Sequence, residues 1–417
     1  MKKNFFIAAV AALALASCSN DEVVQSAQTS PDNAISFRPF VSNVTRASAT
    51  NDITGPAASA AHDLAKFKVT AYPTGTSATP YINAATYQYD NSGTFYVDGA
   101  SASGNKYANE YYWPASTNLD FYAHSYYGTD WFTSAEVTSV LYNGYTFTPS
   151  TTANSTYTDV IFARISNIGK KSSYDTSKEY GADGVPLNFR HTASKIAVKV
   201  INSSKHLKFD IDGWKVGYLS ASGVFAVGSS ETSTAGSGTF AFGDWSSNTT
   251  KDADTQYSST FDKKYIGTEV ATASAVTLDG EMILVPQRLT AATAYQTSGD
   301  DDHKLNGAFI AVKLIIRNTD SSVDGEGTVI ASDGQSTPGT IWAIWPIGDN
   351  GTATFNWEPG KKYTYTIDLA GGGYYEEDQN DDGTLDPILE GAVIKFVTVT
   401  VDNWADATGI DVAGPTL

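Results

Sequence analysis

The chain's apolar residues recur at every second position, in short runs separated by turn signals, and that pattern points away from helices. Phe67-Lys68-Val69-Thr70-Ala71-Tyr72 alternates in this way, as do Thr94-Phe95-Tyr96-Val97 and Lys195-Ile196-Ala197-Val198-Lys199-Val200. Successive side chains of a strand point to opposite faces, so Ile196, Val198 and Val200 are expected to face a core while Lys195 and Lys199 face water. Ala308 to Ile316, Lys362 to Leu369 and Ile394 to Val401 repeat the pattern. Asp90-Asn91-Ser92-Gly93, Asn143-Gly144, Asp183-Gly184, Asp279-Gly280 and Glu358-Pro359-Gly360 supply turns between them. At most His62 to Lys66 offers a short helical turn. Many short strands of this kind predict an all-β protein built from antiparallel β-sandwiches.

A length of 417 residues suits two or three domains, and 41% hydrophobic residues suffice to fill their cores. The Ser/Lys/Gly/Asp-rich segment Ser166 to Gly184 precedes the strand near Ile196. The division is expected there, with an N-terminal sandwich over residues 47–190 and a C-terminal one over 191–417. Gly228 to Ser259, rich in Gly, Ser and Thr, reads as a long loop or irregular hairpin that adds little to a core. Charged residues make up only 17%, with Tyr, Thr, Ser and Gly in their place, a balance that leans extracellular. A net charge of −18 is the reverse of a nucleic-acid footprint and reads as a solubility device.

The N-terminus carries an export signal. Lys2 and Lys3 form a basic region, and Phe5 to Leu15 an apolar one too short to span a bilayer. Leu15-Ala16-Ser17-Cys18 is similar to the lipobox of bacterial lipoproteins. Residues 1–17 therefore read as a lipoprotein signal peptide, with Cys18 as the lipidated residue anchoring the chain to the outer membrane. Cys18 is also the single cysteine, so the exported domains must be stable without an internal disulfide. Residues 18–46 follow as a polar tether and a short strand. Ser19-Asn20-Asp21-Glu22 looks like the acidic surface-export signal of some Gram-negative lipoproteins.

Within that strand, Ile35, Phe37 and Val41 share one face, and Pro39, lacking an N–H, places it at a sheet edge. Val44-Thr45-Arg46-Ala47-Ser48-Ala49-Thr50 follows, a run of small residues with one basic side chain that suits a protease. Two readings stand. One is a first strand followed by a loop. The other is a removable strand: a cut between Arg46 and Ala47 would free Ile35 to Val41, and its departure would leave an apolar groove with unpaired backbone groups, ready for a strand from another chain.

These residues resemble the fimbrillin family, which builds type V pili. The likeness continues through Tyr111-Tyr112-Trp113-Pro114, Leu119 to Ala123, Thr158-Asp159-Val160-Ile161-Phe162-Ala163 and Leu187-Asn188-Phe189-Arg190-His191. It extends over Ile283-Leu284-Val285-Pro286-Gln287, Trp357 to Tyr365, Ile394-Lys395-Phe396 and Val401-Asp402-Asn403-Trp404. The resemblance implies two transthyretin-like β-sandwich domains in tandem, export as a lipoprotein to the cell surface, and cleavage after Arg46. A neighbouring subunit's strand then fills the vacated groove. The partners so implied are other pilus subunits, outer-membrane lipid through Cys18 before processing, and host or bacterial surface ligands, with no nucleic acid. Stalk, tip and anchor roles stay open.

Other candidate chemistry is sparse. Asp378, Asn380, Asp382, Thr384 and Asp386 are spaced like the first half of a calcium loop, although Leu389 stands where the bidentate Glu belongs. Structural calcium and a metal-free acidic hairpin are both open; no other cofactor is expected. His62, His124, His191, His206 and His303 are scattered, and neither a Gly-x-Ser-x-Gly elbow nor a phosphate loop is present, so no catalytic residues are assigned. The aromatics Tyr111, Tyr112, Trp113, Phe121, Tyr122, Tyr126, Tyr127, Trp131 and Phe132 suit a sandwich core, or, exposed, sugar stacking. The alternative to a pilus subunit is thus a monomeric surface lipoprotein that binds glycans. A surface glycan hydrolase, motivated only by acidic and aromatic richness, stands third.

Overall fold

The computed structural model describes residues 34–40, 66–76, 79–89, 95–97, 111–127, 145–149, 159–170, 184–226, 239–240, 243–246, 250–297, 299, 303–348, 357–391 and 396–403. Statements about structure concern these residues. They form an all-β protein, with two single-turn 3-10 helices at Thr272–Ser274 and Leu369–Gly371. Lys66, placed by the sequence in a helical turn, opens a strand instead.

In the N-terminal half, a six-stranded antiparallel sheet runs in the order β4 (Phe95–Val97), β3 (Ile82–Tyr89), β2 (Lys66–Pro73), β5 (Leu119–Tyr127), β7 (Asp159–Ile168) and β9 (Arg190–His191). Its inner face carries Phe67, Val69 and Ala71 from β2, Phe121 and Ala123 from β5, and Ile161 and Ala163 from β7. The layer over this face is thin. Among the described residues it consists of a two-stranded parallel sheet, β1 (Phe37–Phe40) with β8 (Val185–Asn188), together with Trp113 and Phe189.

The C-terminal half is a fuller sandwich. One sheet orders β16 (Val276–Thr277), β10 (Ser194–Ile201), β21 (Lys361–Asp368) and β23 (Phe396–Asn403), with β17 (Met282–Leu284) also on β10. The other orders β15 (Asp252–Ile266), β11 (Leu207–Leu219), β18 (Phe309–Asn318), β20 (Ile341–Pro346) and β22 (Tyr374–Tyr375), with β19 (Val329–Ala331) on β18. Ile196, Val198 and Val200 are fully buried between them, as their alternation predicts, against Trp214, Val312 and Tyr365. A bulge between Ile211 and Gly213 keeps Phe209, Ile211, Trp214 and Val216 on the core side despite the change of parity. Trp357 donates its indole N–H to the Tyr365 hydroxyl at 2.9 Å, which gives that buried donor a partner inside the core.

On the outer face of the first of these sheets, Lys195 and Lys362 are register partners, and Glu281 takes an ion pair from each, at 2.7 Å from Lys195. Desolvation pushes the Glu281 carboxyl upward, but the two ammonium groups outweigh it and hold it below its ordinary value. Glu281→Gln leaves the two lysines side by side. It is expected to lower the urea-unfolding free energy by about 1 kcal/mol, the range of partly exposed pairs.

The sheets are antiparallel as expected, apart from the β10–β21 pair and the separate two-stranded β1–β8 sheet, which run parallel. Two expectations are corrected here. β18 does not alternate between core and water: Ile310, Val312 and Leu314 enter the main core, while Phe309 and Ala311 enter a second cluster with Tyr295, Leu305 and Ile344 on the far side. The Gly228 to Ser259 segment is not a bystander loop. Its end lies in the 15-residue strand β15, whose Ala253, Tyr257 and Ser259 are buried.

The same segment supplies part of a four-stranded sheet ordered β13 (Thr239–Phe240), β14 (Gly243–Ser246), β12 (Gly223–Ala226) and β6 (Tyr145–Phe147). Here a strand from the N-terminal half pairs with one from the C-terminal half. Trp245 packs on Phe225 and Phe147 and donates its indole N–H to the Thr192 carbonyl at 2.9 Å, while Phe225 meets Phe162 from the outer face of the first sheet.

Candidate functional site

The leading strand is the candidate site, and its local sequence explains its seat. Alternation sends Ile35 and Phe37 to one side, where they are 3% and 6% exposed. The Phe37 ring meets Tyr87 edge-on at 4.7 Å, Phe121 at 5.6 Å and Phe67 at 5.9 Å, three interplanar angles near perpendicular. Edge-to-face contacts of this kind favour a fixed ring position beyond simple burial. Trp113 meets Phe121 at 5.9 Å and is itself buried.

Backbone pairing seats the strand from two sides. Ile35 N–H donates to the Tyr111 carbonyl at 2.7 Å, and Ala34 bridges Tyr112. On the other side the Ser36 carbonyl accepts from Val185 N–H at 2.8 Å, and Phe37 to Phe40 run parallel to Val185 to Asn188. Among the described residues β8 alone pairs with Phe37–Phe40, in keeping with the missing N–H of Pro39; at Ala34 and Ile35 the segment has a neighbour on its other edge too, which the Pro39 argument did not anticipate.

Magnitudes matter for what this seat can do. Burial of an Ile and a Phe side chain is worth roughly 3–6 kcal/mol together. Each backbone hydrogen bond adds about 1 kcal/mol net. The sum holds a tethered strand firmly, yet it contains nothing that another strand with similar side chains could not reproduce. Loss of the strand would uncover Phe67, Tyr87 and Phe121 and leave Val185 N–H and the Tyr111 carbonyl without their partners.

Val41, Arg46, Ala47 and Cys18 lie outside the described residues. Of the aromatic cluster, Trp113, Phe121 and Tyr122 are core side chains and Tyr112 is exposed; Trp131 and Phe132 lie outside the described residues. The sequence missed that Tyr111, Trp113 and Tyr87 build the seat of the leading strand. Their aromatic character was a visible signal, but nothing local tied them to Phe37.

The acidic loop is closed on itself. Asp378 accepts from the amides of Asn380, Asp381 and Gly383, Asn380 from that of Asp382, and Asp382 from Thr384. Asp386 accepts from Gln379 N–H at 2.7 Å and from the Asn380 side-chain amide at 3.0 Å. Desolvation acts to raise the Asp378 carboxyl, but these amide donors outweigh it and keep it below its ordinary value. Among the described residues, no three His, Cys, Asp or Glu side chains converge as a metal-binding group.

Comparison with known proteins gives the context. The chain resembles the structure of a fimbrial protein from Bacteroides vulgatus at 12% identity and a TM-score of 0.43, covering 89% of this chain and 100% of that one. It also resembles the C-terminally truncated tip fimbrial protein Mfa3 from Porphyromonas gingivalis at 9% identity and a TM-score of 0.32, covering 82% and 94%. No curated protein matches. A model of fimbrillin-like proteins matches residues 45–404, from the Arg46-Ala47 junction through β23, and the chain therefore belongs to the fimbrillin-like family.

Proposed function

We propose that the chain is a structural subunit or adhesin of a fimbrillin pilus, exported as a lipoprotein and assembled by strand replacement. Cys18 carries the lipid, the chain is cut between Arg46 and Ala47, and a strand from a neighbouring subunit takes the place of β1. Lipid holds the precursor at the outer membrane, and its partners after processing are other subunits and surface ligands. The two sandwiches correspond to residues 47–190 and 191–417. The role is structural rather than catalytic.

One observation carries this reading. Among the described residues β1 supplies one of the two strands over the first sheet, and its contacts there are packing and backbone hydrogen bonds. The family match also begins at Thr45, beside the proposed cut. Digestion of the purified full chain with an Arg-specific protease is the test. The expected outcome is an early cut at Arg46 followed by a ladder of oligomers. A cut chain that stays monomeric would sink the strand-replacement step.

Structural calcium at Asp378, Asn380, Asp382, Thr384 and Asp386 is a separate proposal. Bound calcium would raise the melting temperature, since a ligand specific for the native state stabilises it by mass action. A chelator is then expected to lower the melting midpoint; equal midpoints with and without chelator would remove the metal from the account.

A further inference from the structure

On β11, Lys215 points away from the main core, and it is 7% exposed. Its register partners are Ser258 on β15 and Ala311 on β18, and two residues on, Gly217 pairs with Gln256. Lys215 and Gln256 are therefore diagonal neighbours on one face of adjacent strands. Gly217 makes room between them: a Cβ there would stand 3.1 Å from the Gln256 Cγ and closer still to Phe309. Glu376, just past β22, reaches over both side chains. Its Oε1 accepts from the Lys215 ammonium and, at 3.5 Å, from the Gln256 amide nitrogen. The Trp342 ring lies 4.4 Å from the Lys215 nitrogen.

We propose that Lys215, Gln256 and Glu376 form an autocatalytic cross-link, in which the Lys215 amine displaces ammonia from the Gln256 carboxamide while Glu376 carries the protons. An amine, a carboxamide and a carboxylate between them are the complete set of groups for that reaction. Desolvation pushes the Lys215 ammonium toward the neutral amine, against the pull of Glu376 and Glu377, and a neutral amine is the nucleophile. Glu376 takes a proton from Nζ, and the freed lone pair attacks Gln256 Cδ. The Nζ–Cδ bond forms, the C=O pair moves onto oxygen and returns, and the Cδ–Nε2 bond breaks. Of the three ammonium protons, one stays on the new amide. Two pass by way of Glu376 to the leaving nitrogen, which departs as ammonium, and Glu376 ends as a carboxylate. Nothing is oxidised or reduced, and no co-reactant is needed.

The product is a covalent tie between β11 and β15, the strand at the edge of its sheet. An edge strand is the part of a sheet that a pulling force peels first, so a side-chain amide there resists unzipping where hydrogen bonds alone would yield one by one.

Tryptic mapping of the full chain, read by mass spectrometry, tests the proposal. Acylated Lys215 is not a trypsin site. The expected product is a branched peptide joining residues 209–251 to 252–263, lighter than the sum of its parts by one ammonia. Lys215→Arg preserves the ion pair with Glu376 but cannot form the amide, and is expected to give linear peptides from a folded chain. Glu376→Ala, with its fold checked by circular dichroism, is also expected to give linear peptides. Linear peptides from the unaltered protein would overturn the proposal. So would a branch from Lys215 to Glu376 with loss of water, and a branch that persists in Glu376→Ala would remove that residue from its role.

Discussion

Phe37→Ala is expected to destabilise the N-terminal sandwich by about 3–5 kcal/mol, the range for a buried phenylalanine whose cavity relaxes only in part. The ring stands among three other aromatic side chains, and its loss leaves a void facing Phe67, Tyr87 and Phe121. Among the described residues the opposing layer is two strands wide, and it offers little to collapse into the space. Against a typical domain stability of about 5–15 kcal/mol this is a large fraction. The effect should be local, because the C-terminal core shares no residue with this one. Calorimetry is expected to show a lowered transition for the N-terminal half and a retained one for the C-terminal half. Phe37→Leu, which keeps most of the apolar volume, should recover much of the loss. A Phe37→Ala protein that melts like its parent would show that the leading strand does not support the core.

What could be read from the sequence followed the reach of each signal. Period-two alternation is local, so it placed Lys195, Ile196 and Val198 on their correct faces and put Ile35 and Phe37 on one face of the leading strand. Sheet order is not local. Nothing within β10 or β21 announces that they run parallel, and nothing within β18 reveals a second apolar layer behind Phe309 and Ala311. β15 was missed because its inward positions are Ala253, Tyr257 and Ser259 among Ser and Thr, a weakly hydrophobic alternation that a search for apolar runs passes over. At the acidic loop the residue types were legible and the hydrogen bonding was not: the carboxylates that read as cation ligands accept amide donors of their own turn. The Lys215 cluster was invisible for the same reason, since its three members lie 41 and 120 residues apart and meet only through register and a crossing loop.

Acid is expected to weaken the N-terminal sandwich well before its carboxylates titrate, through His124. This side chain sits on β5 between Lys68 and Phe162 on the neighbouring strands, on the face that the sheet containing Phe225 and Trp245 covers, and it is 2% exposed. Desolvation first, and then the Lys68 ammonium, pushes its pKa down from 6.5 to about 3. The folded chain therefore keeps His124 neutral at pH values where the unfolded chain is already protonated. Because the unfolded state binds the extra proton, stability rises with pH across this window and is lost as pH falls below about 6.5. A full shift of that size is worth roughly 5 kcal/mol, and the part that falls between pH 7 and pH 5 is about 2 kcal/mol. His124→Leu removes the proton site while keeping an apolar side chain in place. Urea unfolding at pH 7 and pH 5 is expected to show the loss in the parent protein and a much flatter response in His124→Leu. Equal pH slopes in the two proteins would mean that His124 is not the group that titrates, and that the first sheet's outer face admits water where the packing of Phe162 on Phe225 closes it.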